Sequence, residues 1–362
     1  MDNDNYKPTM ESLGYGDLFE TGRQKMGFGG FAVGRVIAEY KELYRVKNLN
    51  GEFLAKITGK QMFNARSRQD YPAVGDWVAI AEINSEQAVI EGILPRKTTI
   101  KRKANGGNEV QVVGTNIDAA FVVQAVDGDY SLNRFERYFA IVRDGGVKPA
   151  VILNKTDLVP KEDLDLKLSQ VRERFGDIDI IITSTVADPG LEELRKYIAA
   201  GKTYCFLGSS GVGKSSLINK LIGKELIKTN DISVRTDRGK HTTTGREMYF
   251  INGGGIVIDN PGMREVGMAD TGAGIDDIFS QIVELAKNCK YADCTHTCEP
   301  SCAVLEAVKT GIIDEERYNN YLGLKKESDY YEMTEVEKRE KDRQFGKFLK
   351  TAKDQLKRNG YY

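Results

Sequence analysis

The stretch Gly208-Ser209-Ser210-Gly211-Val212-Gly213-Lys214-Ser215-Ser216 has the residue types and spacing of a phosphate cradle. It follows the apolar run Tyr204-Cys205-Phe206-Leu207 and opens into Leu217-Ile218-Asn219-Lys220-Leu221, giving strand, glycine loop and helix in the order that chemistry needs. Loop N–H groups would point at phosphate oxygens, the glycines let the backbone come close, and the helix start adds the positive end of its dipole. Lys214 would reach the outer phosphates, and the Ser215 hydroxyl would hold Mg2+.

Three further stretches acquire meaning beside it. Asn154-Lys155-Thr156-Asp157 is a guanine-selecting pattern, in which the Asp157 carboxylate accepts from the ring N–H and the exocyclic amino group. Adenine offers neither donor there, and a buried carboxylate left unpaired is costly enough to reject the wrong base by about 10⁴. Ser184, in Thr183-Ser184-Thr185, would support the edge of the base. Asp259-Asn260-Pro261-Gly262 fits the metal and γ-phosphate element: Asp259 would hold Mg2+ through water, and the Gly262 N–H would sense the γ-phosphate. Between cradle and metal element lies Arg238-Gly239-Lys240-His241-Thr242-Thr243-Thr244-Gly245, polar and glycine-flanked, suited to a mobile switch. Thr243, with Thr244 as the next candidate, would complete the Mg2+ shell.

A different chemistry is written near the end. Cys289-x4-Cys294-x-His296-x5-Cys302 places four soft or borderline ligands in a short span, as a closed tetrahedral Zn2+ site needs. Cys298 is a fifth candidate for four places. Four of the five cysteines crowd between 289 and 302, which in a reducing compartment argues for metal over disulfides.

These residues need elements to hold them. Each nucleotide motif sits at the carboxyl end of an apolar run: Ala150-Val151-Ile152-Leu153 before Asn154, Ile178 to Ile182 before Thr183, Gly255-Ile256-Val257-Ile258 before Asp259. Ala119 to Ala125 reads as another buried strand, and Leu132, Phe135, Phe139 and Val142 follow at helical spacing as core. Strand alternating with helix from 113 to 275 predicts a mostly parallel α/β sheet, whose carboxyl edge is where ligands bind. The order of motifs is unusual: Asn154 precedes Lys214 by 60 positions, whereas an ordinary GTPase places the base motif well after the phosphate loop. The domain is a circular permutation, which rejoins the strands differently and leaves the site intact.

Ahead of it, residues 1–30 read as a tail with one short helix near Asp17-Leu18-Phe19-Glu20. Residues 31–112 carry short runs such as Arg35 to Tyr40, Glu52 to Ile57 and Gly75 to Ile80, which predict an OB-like β-barrel. Leu94 to Lys103 reads as a loop with five basic residues and no acid, able to track a phosphate backbone or simply solvated. Behind the GTPase domain come a helical zinc-binding module, 276–335, and a basic helix or tail, 336–362. From Lys341 onward that tail has seven Lys/Arg against two Asp, with Phe345, Phe348 and Leu349 interleaved, the make-up of a polyanion-binding helix or of a solvated one.

Lys+Arg 52 against Asp+Glu 53 leaves a net charge of −1, so a nucleic-acid contact must come from local patches. The polar start, Met1-Asp2-Asn3-Asp4-Asn5, has no signal-peptide core, and no apolar run is long enough to span a bilayer, which predicts a soluble cytoplasmic protein.

Permuted GTPase motifs between an OB-like domain and a Cys/His zinc module closely resemble the ribosome small-subunit-dependent GTPases, the RsgA (YjeQ/YloQ) family. The likeness is most specific in Gly208 to Asn219, in Gly239-Lys240-His241-Thr242-Thr243-Thr244, and in Cys294-Thr295-His296 followed by Glu299-Pro300-Ser301-Cys302-Ala303-Val304. The resemblance implies a GTPase acting late in small-subunit assembly, binding ribosomal RNA through the barrel and the C-terminal module and stimulated by the subunit; a monomer is expected. It implies GTP or GDP with Mg2+, and one Zn2+ held by Cys289, Cys294, His296 and Cys302. It also points to His241 as the group that positions the attacking water. Gly262 is followed by Met263 where many GTPases carry a water-orienting Gln, and with His296 assigned to zinc, His241 is the other of the chain's two histidines. Asn260, Thr185 and Ser301 depart from the family's usual residues. Two other readings compete: a zinc-containing RNA-binding scaffold that keeps GTP as a structural ligand, and a P-loop kinase or ATPase, which Asn154-Lys155-Thr156-Asp157 disfavours.

Overall fold

Val36, Val46, Phe53, Ile80 and Ile90, contributed by five short strands, form one buried cluster. The strands are β1 (Ala32–Tyr40), β2 (Leu43–Asn48), β3 (Gly51–Ile57), β4 (Trp77–Glu82) and β5 (Gln87–Ile93), in the order β1-β2-β3-β5-β4. Pairing of β1 with β4 (Ala32↔Ile80 to Arg35↔Trp77) closes the barrel, so this is the expected OB-like element. The computed structural model describes residues 9–40, 43–103, 110–128, 130–186, 190–224, 246–259 and 271–358.

The segment read as a tail is folded from residue 9 onward. Helix Asp17–Lys25 covers and extends the expected short helix, and Leu13 and Phe19 pack with Val33, Trp77 and Leu94. Met10, Tyr15 and Phe28 pack beside these two, with the Tyr15 ring edge-on to Trp77 at 4.8 Å, and no regular periodicity in the sequence links them. The basic stretch Leu94 to Lys103 also differs from expectation. Arg96 clamps the fully buried Asp76 with two bonds of 2.9 and 2.7 Å and donates to the carbonyls of Gln69 and Tyr71. Lys97 pairs with Asp118 at 3.2 Å. Its remainder forms β6 (Thr99–Lys103), which pairs with β7 (Val110–Thr115) as a separate two-stranded ribbon around a buried Ile100. Arg96 is thus committed to holding the protein together, whereas Lys97 keeps a half-exposed ion pair.

The remaining strands are β8 (Ala119–Ala125), β9 (Lys148–Asn154), β10 (Ile180–Ile182), β11 (Thr203–Leu207), β12 (Glu247–Phe250) and β13 (Ile256–Asp259). They run β10-β9-β8-β11-β13-β12, parallel throughout except β12, which is antiparallel to β13. Near-continuous apolar runs such as the fully buried β8 are what a parallel sheet covered on both faces requires. Helix Leu132–Asp144 buries Phe135, Phe139 and Val142, as their spacing predicts.

β12 also pairs with β1 at Ala38↔Glu247, so barrel and nucleotide sheet form one eleven-stranded surface. Arg35 reinforces the junction from a buried position. Its guanidinium donates to the carbonyls of Leu13 (2.6 Å), Gly75 (3.3 Å) and Asn116 (3.3 Å) and to the Thr203 hydroxyl (2.8 Å) at the start of β11. Burial pulls its pKa down to about 10, which still leaves it charged at neutral pH.

The chain divides into two compact units, residues 1–267 with 273–278, and 268–272 with 279–362. The second is helical, with Ser280–Ala286, Ala303–Lys309, Glu315–Glu332 and Glu335–Arg358.

Candidate nucleotide and metal sites

Because β9, β8, β11 and β13 are parallel neighbours, their ends bring Asn154, Ala125, Leu207 and Asp259 to one edge. Cys205 lies beside Ile258, so Asp259 flanks the strand that runs into the phosphate loop. Gly208 opens the loop at φ 145°, and a Cβ there would fall 2.3 Å from the Val123 carbonyl oxygen. Gly213 closes it at φ 97°, where a Cβ would fall 2.3 Å from Asn154 Nδ2. No side chain fits either place. Helix Lys214–Ile222 then buries Leu217, Ile218, Leu221 and Ile222 against the sheet, which fixes the direction of its N-terminus. Lys214 Nζ donates to the carbonyls of Gly208 (2.7 Å) and Ser209 (2.5 Å), folding its charge over the loop. Ser209, Ser210, Gly211, Ser215 and Ser216 surround it without being buried, whereas Val212 is packed in the core.

The base motif is built into the same edge. Asn154 is fully buried; its Nδ2 donates to the Val212 carbonyl at 2.8 Å and its Oδ1 accepts from the Thr183 hydroxyl at 2.9 Å. One amide therefore clips the phosphate loop to the end of β10. Lys155 adopts φ 62° and pairs with Asp127 at 3.1 Å. Thr156 donates through N–H and hydroxyl to the Thr183 carbonyl, at 3.3 and 3.2 Å. Asp157 is exposed, and its Oδ1 accepts from Ser184 Oγ at 2.5 Å. The expectation of a buried carboxylate is therefore not met: Asp157 is held at one oxygen and open to solvent at the rest, so it can accept donors from a planar base and would be desolvated only when a base covers it.

Sequence reasoning did not single out the Thr183 hydroxyl or Asp127. Asp127 was detectable in principle, two residues beyond the end of β8 and so at the same sheet edge as the motifs that were found. Thr183 looked like part of a polar run; only the fold reveals that its hydroxyl faces Asn154. His241, Thr243, Thr244, Gly262 and Met263 lie outside the described residues.

In the second unit the ligand atoms of Cys289, Cys294, His296 and Cys302 all lie within 4.8 Å of one another. The Cys289–Cys302 sulfurs are 3.8 Å apart, and His296 Nδ1 is 3.6 Å from Cys289 Sγ and 3.5 Å from Cys302 Sγ. Around tetrahedral Zn2+, bonds of about 2.3 Å to sulfur and 2.0 Å to nitrogen give S···S of about 3.8 Å and S···N of about 3.5 Å. The donor set fits that ion. Cys298 stands apart, exposed. The intervening loop is organised by Glu299, which accepts from the Thr295 side chain and from the N–H groups of Thr295 (2.7 Å), Thr297 (2.9 Å) and Cys298 (3.1 Å). These bonds hold its carboxyl well below the usual range. Tyr318 donates to the His296 carbonyl, and Cys302 Sγ caps helix Ala303–Lys309 by accepting from Leu305 N–H at 3.4 Å.

Residues 93–269 match the family model described as RsgA GTPase. The small ribosomal subunit biogenesis GTPase RsgA 1 of Bacteroides thetaiotaomicron is 36% identical over 352 residues, 96% of this chain and 98% of that one. The small ribosomal subunit biogenesis GTPase RsgA 2 of Listeria monocytogenes is 40% identical over 89% of this chain and 90% of its own length. Among solved structures, YjeQ from Thermotoga maritima aligns at 27% identity over 81% of this chain and 96% of that one, with a TM-score of 0.59. YloQ, a circularly permuted GTPase, shares the fold at 22% identity and a TM-score of 0.57, over 84% of this chain and 97% of that one.

Proposed function

This chain belongs to the RsgA GTPase family, and on that premise we propose that it hydrolyses GTP to GDP and phosphate during maturation of the small ribosomal subunit. The subunit is its partner, and we place the work in the cytoplasm; no helix among the described residues is long and apolar enough to cross a membrane. The observation that carries the reading is the Asn154 amide joined to Val212 at 2.8 Å, because it makes base recognition and phosphate binding one rigid piece.

On this reading Asp157 selects guanine, with Ser184 fixing the carboxylate and Asn154, Lys155 and Thr156 holding the motif in place. The N–H groups of 208 to 216 cradle the phosphates. Lys214 leaves the Gly208 and Ser209 carbonyls to neutralise the charge that develops on the β- and γ-phosphates. Ser215 and Thr243 would hold Mg2+, with Asp259 reaching it through water, and the ion would supply positive charge to offset that of the phosphates. Gly262 would sense the γ-phosphate, and His241 would orient the attacking water once the subunit docks. Cys289, Cys294, His296 and Cys302 would hold one structural Zn2+, a closed site with no place for substrate. Turnover of GTP without turnover of ATP, lost in Lys214→Ala with the fold intact, tests the assignment. Equal turnover of both nucleotides would overturn it.

A further inference from the structure

Helix Gly59–Asn64 projects from the barrel between β3 and β4 and contains no buried residue. Thr58 caps it, its hydroxyl accepting from Gln61 N–H at 3.2 Å. The helix presents its largest side chain to solvent: Phe63 is 89% exposed, and Met62 beside it 51%. A lone exposed apolar residue is ordinary. What sets this one apart is the charge around it. Residues 53–69 hold Lys56, Lys60, Arg66 and Arg68 and no carboxylate, in a chain whose net charge is −1, and all four cations are exposed. The next acid, Asp70, is occupied in accepting from the N–H groups of Arg66 (2.8 Å) and Ser67 (2.9 Å). Lys60 and Phe63 are three positions apart on the helix and so share a face.

We propose that this helix is a docking point for single-stranded RNA, with an unpaired base stacked on the Phe63 ring and the flanking phosphates on Lys60 and Arg66. The inference rests on the reading above, in which the partner is an RNA-containing subunit, and adds the surface and the mode of contact. An aromatic ring between cations matches a strand that presents a π-face and a negative charge at every step. An acidic protein segment would satisfy the cations and leave the ring uncovered. A bilayer is a poor match, because two apolar side chains on a six-residue helix bury too little surface to anchor it.

The test uses the full chain and a labelled twelve-nucleotide uridine RNA. Phe63→Ala should weaken binding about tenfold and Phe63→Trp should restore it, since stacking follows the ring. Lys60→Gln with Arg66→Gln should flatten the slope of log affinity against log salt by about 1.4, two phosphate contacts' worth. The chain's single tryptophan, Trp77, is fully buried, so the second indole of Phe63→Trp is the one that RNA should quench. Unchanged affinity in Phe63→Ala together with an unquenched Trp in the RNA-bound state would overturn the proposal and leave the face to a protein partner. Stimulation of GTP turnover by small subunits is measured in parallel. If stimulation persists while Phe63→Ala binds RNA like wild type, only this surface is wrong; if wild type is not stimulated, the underlying reading fails.

Discussion

Asn154 and Val212 are 58 positions apart in the chain, yet the Asn154 side-chain amide donates to the Val212 carbonyl at 2.8 Å. The same side chain accepts from Thr183 at 2.9 Å, so three segments far apart in the chain, brought together by the parallel sheet, meet at one buried group.

Asn154→Ala therefore leaves the Val212 carbonyl and the Thr183 hydroxyl without that partner in a buried setting. It should destabilise the fold by about 2–4 kcal/mol and weaken GTP at least about tenfold. Urea unfolding and nucleotide titration measure the two. Loss of affinity with unchanged stability would mean that Asn154 acts on the base alone.

Asp157→Asn should weaken GTP about 10³-fold and favour a xanthine nucleotide, whose ring edge presents a carbonyl to the new amide. Competition binding with the two nucleotides checks it. An unchanged preference for GTP would take Asp157 off the guanine site.

How much of this was legible in the sequence varies with how local the signal is. Gly208 to Ser216 and Asn154 to Asp157 are contiguous strings whose chemistry depends on their own backbone, and each could be placed at a strand end from the apolar run before it. The barrel was visible from several short strand-like runs, and its closure by β1 and β4 followed the expected class. Arg96 shows the limit. Five basic residues within ten positions read as a surface, and nothing local reveals that Asp76, twenty positions earlier, lies buried opposite Arg96. Thr183 and Arg35 were missed for the same reason: their partners come from distant segments. The docking of Leu13 and Phe19 on Trp77 likewise depends on a cleft that only the folded barrel provides.

One zinc per chain is expected, and it should survive Cys298→Ser, because Cys298 is exposed and outside the group of four ligand atoms. His296→Ala should lose the metal, as should prolonged chelation, with melting of the short elements between 280 and 309 that the site ties together. Metal analysis and circular dichroism read both. Zinc retained in His296→Ala and lost in Cys298→Ser would reverse the ligand assignment.

His241→Ala should bind GTP nearly as wild type does and keep its basal turnover, while losing most of the increase that small subunits produce. Nucleotide titration and turnover at saturating subunit separate these. A mutant stimulated as strongly as wild type would show that the partner itself positions the water.

The most direct test of the account is GTP turnover measured with and without purified small ribosomal subunits over a range of salt. The account predicts slow turnover by the free protein and a large rise with subunits, the rise falling steeply as salt increases because docking depends on local basic patches. The same rate with and without subunits at low salt, where docking is strongest, would contradict it and favour an RNA-binding scaffold that keeps GTP as a structural ligand.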